Sequence, residues 1–437
     1  MTTTMSEPLD TALQPTGPTR RDHALQSLYA GSFSSFLGLA VADVVFPLLV
    51  LGFTGKPLLA GLFGTIQFVA MLCASVPAGN FVDRHDRRRI LITSELVRAT
   101  AATVLAVTLA SGHVWLAEVY AIAAVLGVCQ PFSSIRTLAL RLVAPASELT
   151  KVLSIQQVVG NAAQLLGPAV GALLYSYDRS LAFAVIAAGM AASALCAYAV
   201  RFESRPEPAA ASQDTVNEGH DASGASEPEA GGNDGFFAGV SIIWRHPVMR
   251  ATLLFVMLLN LVAMPLDLVL ILQARHEGVP THYIGLILAC FAAGGILGAP
   301  FIPKLHRLMN PGRLLGLLGG VLALACAMTA IPFGGGLSPM LWMAGWMAAV
   351  GFVIPSAVVL VDVLILQQVP NHQRGRVLSA ATTFMALGMP LGSAFGGSML
   401  QLFSPATLLL GTAAAIAAVT LFAQAQRPLR TAAWPAK

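Results

Sequence analysis

The sequence predicts an all-α membrane protein with twelve transmembrane helices in two six-helix pseudo-repeats. Three observations predict it. Of 437 residues, 56% are hydrophobic and 11% charged, too little polar surface to cover a soluble globule of this size. The apolar residues form long runs of about 20, the length of a membrane-spanning helix, where a transmembrane barrel would need alternating segments of about ten. A segment between the fourth and fifth runs also recurs in the second half at a shift of 225 residues.

The runs lie near residues 27–52, 57–78, 90–111, 114–135, 152–176 and 180–200 in the first half. In the second they lie near 249–273, 282–303, 312–333, 338–363, 378–400 and 404–425. Residues 1–24 are polar, with Arg20 and Arg21 just before the first run and no apolar core behind a small-residue cleavage site. They read as a cytoplasmic tail and not a signal peptide. The first six-helix half covers 25–201. Residues 202–235 combine Ala, Ser, Gly and Pro with eight acids, a composition that cannot bury enough surface to fold, and form a disordered acidic cytoplasmic linker. Phe236, Phe237, Val240, Ile243 and Trp244 then recur at helical spacing ahead of Arg245 and His246. They predict a short helix on the membrane surface, with an extension of the seventh span as the alternative. This helix leads the second half, 236–426, and 427–437 is a cytoplasmic tail.

The repeat supports the division. Pro145-Ala146-Ser147-Glu148-Leu149-Thr150-Lys151-Val152-Leu153-Ser154 aligns without a gap on Pro370-Asn371-His372-Gln373-Arg374-Gly375-Arg376-Val377-Leu378-Ser379, and the same shift brings Gly171 onto Gly396. Charge sets the topology. With both termini inside, only Lys56, Arg179 and Arg275 lie outside and only Arg98 lies within a span, the other 21 of 25 basic residues being cytoplasmic, as the positive-inside rule requires. The net charge of +4 is therefore a matter of topology and no sign of nucleic-acid binding. Cys73, Cys129, Cys196, Cys290 and Cys326 are scattered through the spans without metal-ligand spacing. They read as small buried apolar residues, and no cofactor or metal is expected.

Between the second and third runs stands Gly79-Asn80-Phe81-Val82-Asp83-Arg84-His85-Asp86-Arg87-Arg88-Arg89, a charge cluster that hydrocarbon would exclude. Gly79, Asp83, Arg84, Arg87 and Arg88 match a signature loop of the major facilitator superfamily, which the chain resembles, while Asp86 stands where that family usually has glycine. The second-half counterpart is worn: Gly298 is followed by Lys304, His306 and Arg307, with Ile302 in the place of Asp83. The fifth run carries Gly160 and Gly167-Pro168-Ala169-Val170-Gly171, similar to the glycine-rich helix of facilitator-type exporters, where small residues let backbones approach and proline bends the helix. Close packing alone also explains it. The family's fourth-helix arginine is absent, since that span offers Glu118 and Gln130 with no central basic residue, so that any part it plays in proton coupling falls elsewhere.

The stretches Trp244–Arg250 and Gln368–Ser379 resemble the subgroup of enterobactin exporters and macrolide efflux proteins. This resemblance implies secondary export of amphipathic small molecules, a siderophore, drug or antibiotic, driven by protons through alternating access, with the substrate site between the halves near the midplane. It further implies that Asp83 closes the inner gate against the start of the eleventh helix, assisted by Arg84, Arg87, Arg88, Arg374, Gly375 and Arg376.

Ionisable groups within spans are functional suspects, since each is costly unless paired or facing water. Asp43 lies beside Pro47 in the first run and reads either as a proton site at the cavity or as a helix-packing residue. Glu95 and Arg98, three apart, can pair on one helix face, as a structural pair or as a proton relay. Asp267 lies toward the outer end of the seventh run, at a solvated rim or in the cavity. Gln67, Asn161, Gln164 and Asn260 can orient a polar substrate or join helices. No nucleotide-binding loop or hydrolytic grouping occurs in a soluble segment, so an enzyme is not expected. The expected partners are lipid, a small-molecule substrate and protons, the protein working as a monomer in the bacterial inner membrane. An importer of a nutrient or metal chelate shares the fold and remains open. A non-transporting sensor would have no physical need for the gate charges.

Overall fold

The computed structural model describes residues 18–144, 148–200, 241–331, 338–366 and 374–426. The acidic linker, the C-terminal tail and most of the N-terminal one lie outside the described residues, as do Phe236, Phe237, Val240 and much of the repeated 145–154 and 370–379 segments. All regular structure in the described residues is helical.

The first half comprises α1 (Pro18–Thr54), α2 (Pro57–Arg84), α3 (Arg87–Ala110), α4 (Leu116–Cys129), α5 (Ser134–Val143), α6 (Leu149–Tyr177) and α7 (Arg179–Ala199). A 3₁₀ turn, Gln130–Ser133, joins α4 to α5. The second half comprises α8 (Pro247–Ala263), α9 (Leu266–His276), α10 (Thr281–Gly298), α11 (Ile302–Leu308), α12 (Pro311–Thr329), α13 (Ser338–Leu366), α14 (Arg374–Ala386), α15 (Gly388–Leu402) and α16 (Pro405–Ala425). Ten helical segments are long and apolar enough to cross a bilayer. The expected tenth and eleventh spans are helical as well, as α13 and the α14–α15 pair, but many of their side chains lie outside the described residues. The chain is a multi-pass membrane protein.

Local chemistry sets the helix ends. Proline opens α2, α8, α12 and α16, where its missing N–H goes unneeded. Asp178 caps α7 by accepting from the amides of Ser180 (2.6 Å) and Leu181 (3.1 Å), bonds that hold its carboxyl below the usual carboxylate value. Gly55 after α1 and Gly278 after α9 adopt φ of 62° and 75°, the left-handed conformation that ends a helix and that glycine adopts without strain. Pro131 and Pro265 stand where the fourth and seventh spans break, each removing a backbone donor. The duplication is visible in the helices themselves: a shift of 225 carries the first residue of α6, Leu149, onto Arg374 of α14 and its last, Tyr177, onto Leu402 of α15.

The apolar core is shared at one end of the bundle and divided at the other. At the end where α1 meets α2, here the far face, the residues of α1 from Val41 to Leu51 other than Asp43 and Pro47, with Phe63, Phe183 and Leu126, pack in one cluster with Val269, Ile271, Ile284, Ile287, Met343 and Leu409 of the second half. At the end carrying the charge loop, the termini face, the cores separate. Leu25, Leu28, Leu140 and Val200 belong to the first half, while Ile243, Met249, Leu253, Val377 and Ala380 belong to the second.

Small residues make the far-face contact between halves. A Cβ on Gly61 of α2 would stand 2.7 Å from the Ser393 carbonyl oxygen and 2.8 Å from the Gly397 Cα of α15, and the Ser393 hydroxyl donates to the Gly61 carbonyl at 2.8 Å. On the opposite side, a Cβ on Gly285 of α10 would run into the Pro168 carbonyl and the Ala172 methyl of α6. Overpacking here would cost about 1–3 kcal/mol in the closed arrangement alone. Gly285→Leu should therefore part the halves at the far face, and spin labels on the far-face ends of α2 and α15 should report a longer distance than in the wild type.

Candidate functional site: an acid-lined cavity between the halves

Two facing helices position two carboxylates at one cavity. From Ala40 to Leu51 every residue of α1 is buried except half-buried Pro47 and exposed Asp43, because the Asp43 side chain lines an internal cavity. In the second half the break at Met264–Pro265 starts α9 afresh, and Asp267 in its first turn is exposed beside buried Leu268, Val269 and Leu270. Asp267 lines the same cavity, of about 310 Å³. The seventh span thus delivers its acid to the interior and not to a solvated rim. The other walls are almost wholly apolar, with Gln164 and Thr329 the remaining polar side chains and no Lys, Arg or His among the lining residues.

Of the expected polar contacts, Gln164 alone reaches the cavity. Asn260 donates to the Met385 carbonyl at 3.0 Å, joining α8 to α14, and the Asn161 side chain accepts from Gln157 at 3.1 Å along its own helix. Gln67 lies where α2 meets α4, its carbonyl against Gly127. The glycine-rich fifth span packs mainly on α1: a Cβ on Gly167 would collide with Ala40, one on Gly171 would lie 3.1 Å from the Val41 carbonyl, and Gly160 faces Phe36 at an ordinary 3.6 Å. Pro168 sits both at the cavity wall and under Gly285.

Glu95 and Arg98 stand apart from this cavity in a buried network that sequence reasoning only half found. Glu95 Oε1 lies 3.6 Å from Arg98 Nη1, and accepts from Arg136 Nη2 at 2.8 Å and from Ser35 Oγ at 3.1 Å. Arg136 also donates to Ser193 Oγ at 2.7 Å, and Arg98 to Ser133 Oγ at 3.0 Å and to the Cys129 carbonyl. Four spans are tied by one carboxylate and two guanidiniums, all at most 3% exposed. Arg98 is therefore not alone within a span. The fourth span continues past its 3₁₀ turn to Val143, so an arginine does stand in it, one residue beyond the expected limit at 135. Its signal was the spacing of α5, where Ile135, Ala139 and Leu140 share the buried face with Arg136. The cysteines divide similarly: Cys129 and Cys326 are buried, but Cys73 is exposed on α2.

The charge loop shows how Asp86 serves in place of glycine. It is the N-cap of α3, accepting from the amides of Arg88 (2.9 Å) and Arg89 (3.3 Å), with Arg89 Nε 3.5 Å away. Arg88 reaches the last turn of α7, donating to the carbonyls of Ala197 and Tyr198 and lying 5.6 Å over the Tyr198 ring. Arg84 is exposed and Arg87 half-buried. Gly79 faces open space, whereas its worn counterpart Gly298 sits against the Phe352 carbonyl. His306 bonds Ser356 Oγ at 3.1 Å, and burial pushes its imidazole below the ordinary value. The side chains of Asp83, Arg374 and Arg376, and of Asp362, lie outside the described residues, as does Gly375 beyond its helical backbone.

The chain is similar in sequence and in fold to known carriers. The family model described as Major Facilitator Superfamily matches residues 28–393, with a second match over 278–435. The chain belongs to this superfamily. It is a membrane transporter of small molecules and not an enzyme. Among curated proteins it is 25% identical to the multidrug efflux pump Tap of Mycolicibacterium fortuitum over 388 residues, 87% of this chain and 90% of Tap. It is also 25% identical to macrolide efflux protein A of Streptococcus pyogenes over 385 residues, 84% of this chain and 86% of that protein. Among solved structures, the fold matches the nucleoside transporter NupG with a TM-score of 0.72 at 13% identity, covering 92% of this chain and 98% of that one. It matches a bacterial homologue of the human lysosomal transporter Spinster, in an inward-facing and unoccupied conformation, with a TM-score of 0.69 at 15% identity, covering 96% and 100%.

Two substitutions separate the roles of these groups. Removing the negative charge in Glu95→Gln leaves two guanidiniums buried without a counter-ion, a loss of about 3–5 kcal/mol, and should sharply lower the thermal unfolding temperature in nanodiscs. Asp86→Ala removes a helix cap worth about 1 kcal/mol while Asp86→Gly costs a few tenths. Amide exchange at Arg88 and Arg89 should accordingly quicken more in the alanine variant.

Proposed function

We propose that the protein is a proton-coupled exporter of amphipathic small molecules, drugs or antibiotics among them, working by alternating access. The observation that carries this reading is the pair Asp43 and Asp267, one acid from each half, facing a single cavity of otherwise apolar walls. A carboxylate at this depth is tolerated where it meets water, a cation or a proton, and an acid exposed first to one side and then to the other can carry protons against cargo. The core shared at the far face and divided at the termini face fits one of the two states that alternating access requires.

Direction and placement follow from charge and kinship. Arg84, Arg88, Arg89, Arg250, Lys304 and Arg313 stand at the termini face, and Lys56, Arg179 and Arg275 at the far face. The positive-inside rule assigns the termini face to the cytoplasm of a bacterial inner membrane, so the cavity would fill from within. Efflux is the activity named for both curated relatives. One chain holds both halves, so a monomer provides the whole pathway, and Asp83 with its arginines would close the inner gate in the opposite state.

In everted vesicles carrying the protein, uptake of ethidium should depend on an imposed pH gradient, collapse on adding a protonophore, and be lost in Asp43→Asn. Gradient-driven uptake at the wild-type rate in that variant would remove Asp43 as the essential proton site, and uptake indifferent to the protonophore would remove proton coupling.

A further inference from the structure

The cavity is lopsided. The first half contributes Ala40, Asp43, Val44, Gln164 and Pro168, and every other lining residue belongs to the second half. The space therefore extends away from the seam, into the interior of the second bundle. There Leu322, Ala325, Cys326 and Val350 are themselves members of that half's own buried core. A core of this kind is ordinarily filled to crystal-like density, so the void among these four is a departure from what the fold needs. The whole cavity, mouth included, has a volume of about 310 Å³, at the lower end of small-ligand sites. Its two ends also differ in chemistry: the mouth at the seam carries both carboxylates, while the inner end, formed by α12 and α13, is aliphatic apart from the Cys326 thiol and the Thr329 hydroxyl, which already donates to the Ala325 carbonyl at 2.9 Å.

An amphipathic molecule can satisfy both ends in only one orientation. Its cation would lie at the mouth, where the charge of two carboxylates in a little-solvated space attracts it, and its apolar body would fill the inner end, removing hydrocarbon from water at roughly 25 cal/mol per Å². Resting on the reading of this cavity as the transport site, we propose that the second half alone holds the apolar body of the cargo, with Ala325 and Cys326 on α12 setting its size limit, while a cationic group lies at the seam between Asp43 and Asp267. Selectivity for the apolar body is thereby assigned to the second half, while the acids at the seam come from both: the first half supplies one acid and almost no shape, and the second supplies the other acid and the shape.

Cys326 provides the readout. With Cys73, Cys129, Cys196 and Cys290 replaced by alanine in the full chain, the small reagent methyl methanethiosulfonate should modify Cys326 slowly through the cavity at alkaline pH, where the reactive thiolate is populated, followed by mass spectrometry of the intact protein; a thiol that stays unmodified in the unliganded protein overturns the proposal. Tetraphenylphosphonium at about ten times its Kd should slow that modification about tenfold, because only the unliganded fraction reacts. Asp43→Asn and Asp267→Asn should each weaken the protection, and Ala325→Leu, which puts a longer aliphatic chain into the inner end, should raise the half-protecting concentration about tenfold for tetraphenylphosphonium, about 1.4 kcal/mol, and much less for the smaller tetraethylammonium. Absence of protection at saturation, or protection that Ala325→Leu alters equally for both cations, overturns the proposal. Protection with this size dependence but without any efflux would retain the binding assignment and overturn the export reading instead.

Discussion

The high cost of an unpaired charge in hydrocarbon governs where this protein can keep its acids. A carboxylate away from the bilayer surface persists only if neutralised by a neighbour or if it faces a space that water, a proton or a ligand can enter. The chain uses both solutions and keeps them apart. Glu95 is held by Arg98, Arg136 and Ser35 of α1, and Arg136 in turn by Ser193 of α7, an arrangement that ties four helices of one half together. Asp43 and Asp267 have no such arginines beside them in the cavity wall and look into open volume. The first solution builds a rigid half, and the second leaves groups whose charge can change. Helix packing follows the same division, with dense contact around the buried network and a void beside the seam acids.

Rigid halves need a joint, and the joint is made from what the side chains leave out. Gly61, Gly285 and Gly397 bring backbones of opposite halves together at the far face, where bulkier residues would hold them apart. Within the second half Gly388 and Gly392 do the same between α15 and α8, fitting against the carbonyls of Met257 and Leu261. α15 is therefore pressed on two sides by backbone and can shift against either neighbour without rearranging large side chains. In a membrane, where hydrophobicity gives little reason for helices to associate, close backbone approach supplies much of the attraction.

Much of the fold was legible in the sequence because bilayer thickness imposes run length and duplication leaves a register. The 225-residue shift was readable from ten residues at the start of α6, and it holds to the last residue of that helix. The cavity was harder to read. Asp43 announced itself as an acid in an apolar run, but Asp267 looked like a rim residue because linear hydropathy measures depth along a straight helix, and the break at Pro265 resets that depth. Arg136 was missed for a related reason: the 3₁₀ turn around Pro131 lengthens the fourth span beyond its apolar run, so a charged residue past the end of the run is still buried. Asp86 could not be interpreted from the signature it departs from, since its role is local and depends on two amides at the start of α3. Partners brought together by folding, such as Ser35 on Glu95 and Ser193 on Arg136, leave no periodic trace at all.

The far-face seal between α2 and α15 consists of a glycine Cα, backbone carbonyls and one serine hydroxyl. Nothing in that contact titrates or is screened. The strength of that contact is therefore insensitive to the ionic strength and acidity of the medium it faces, in contrast to the rim beside it, where Asp178 and Arg179 of the first half share a pocket with His282 of the second.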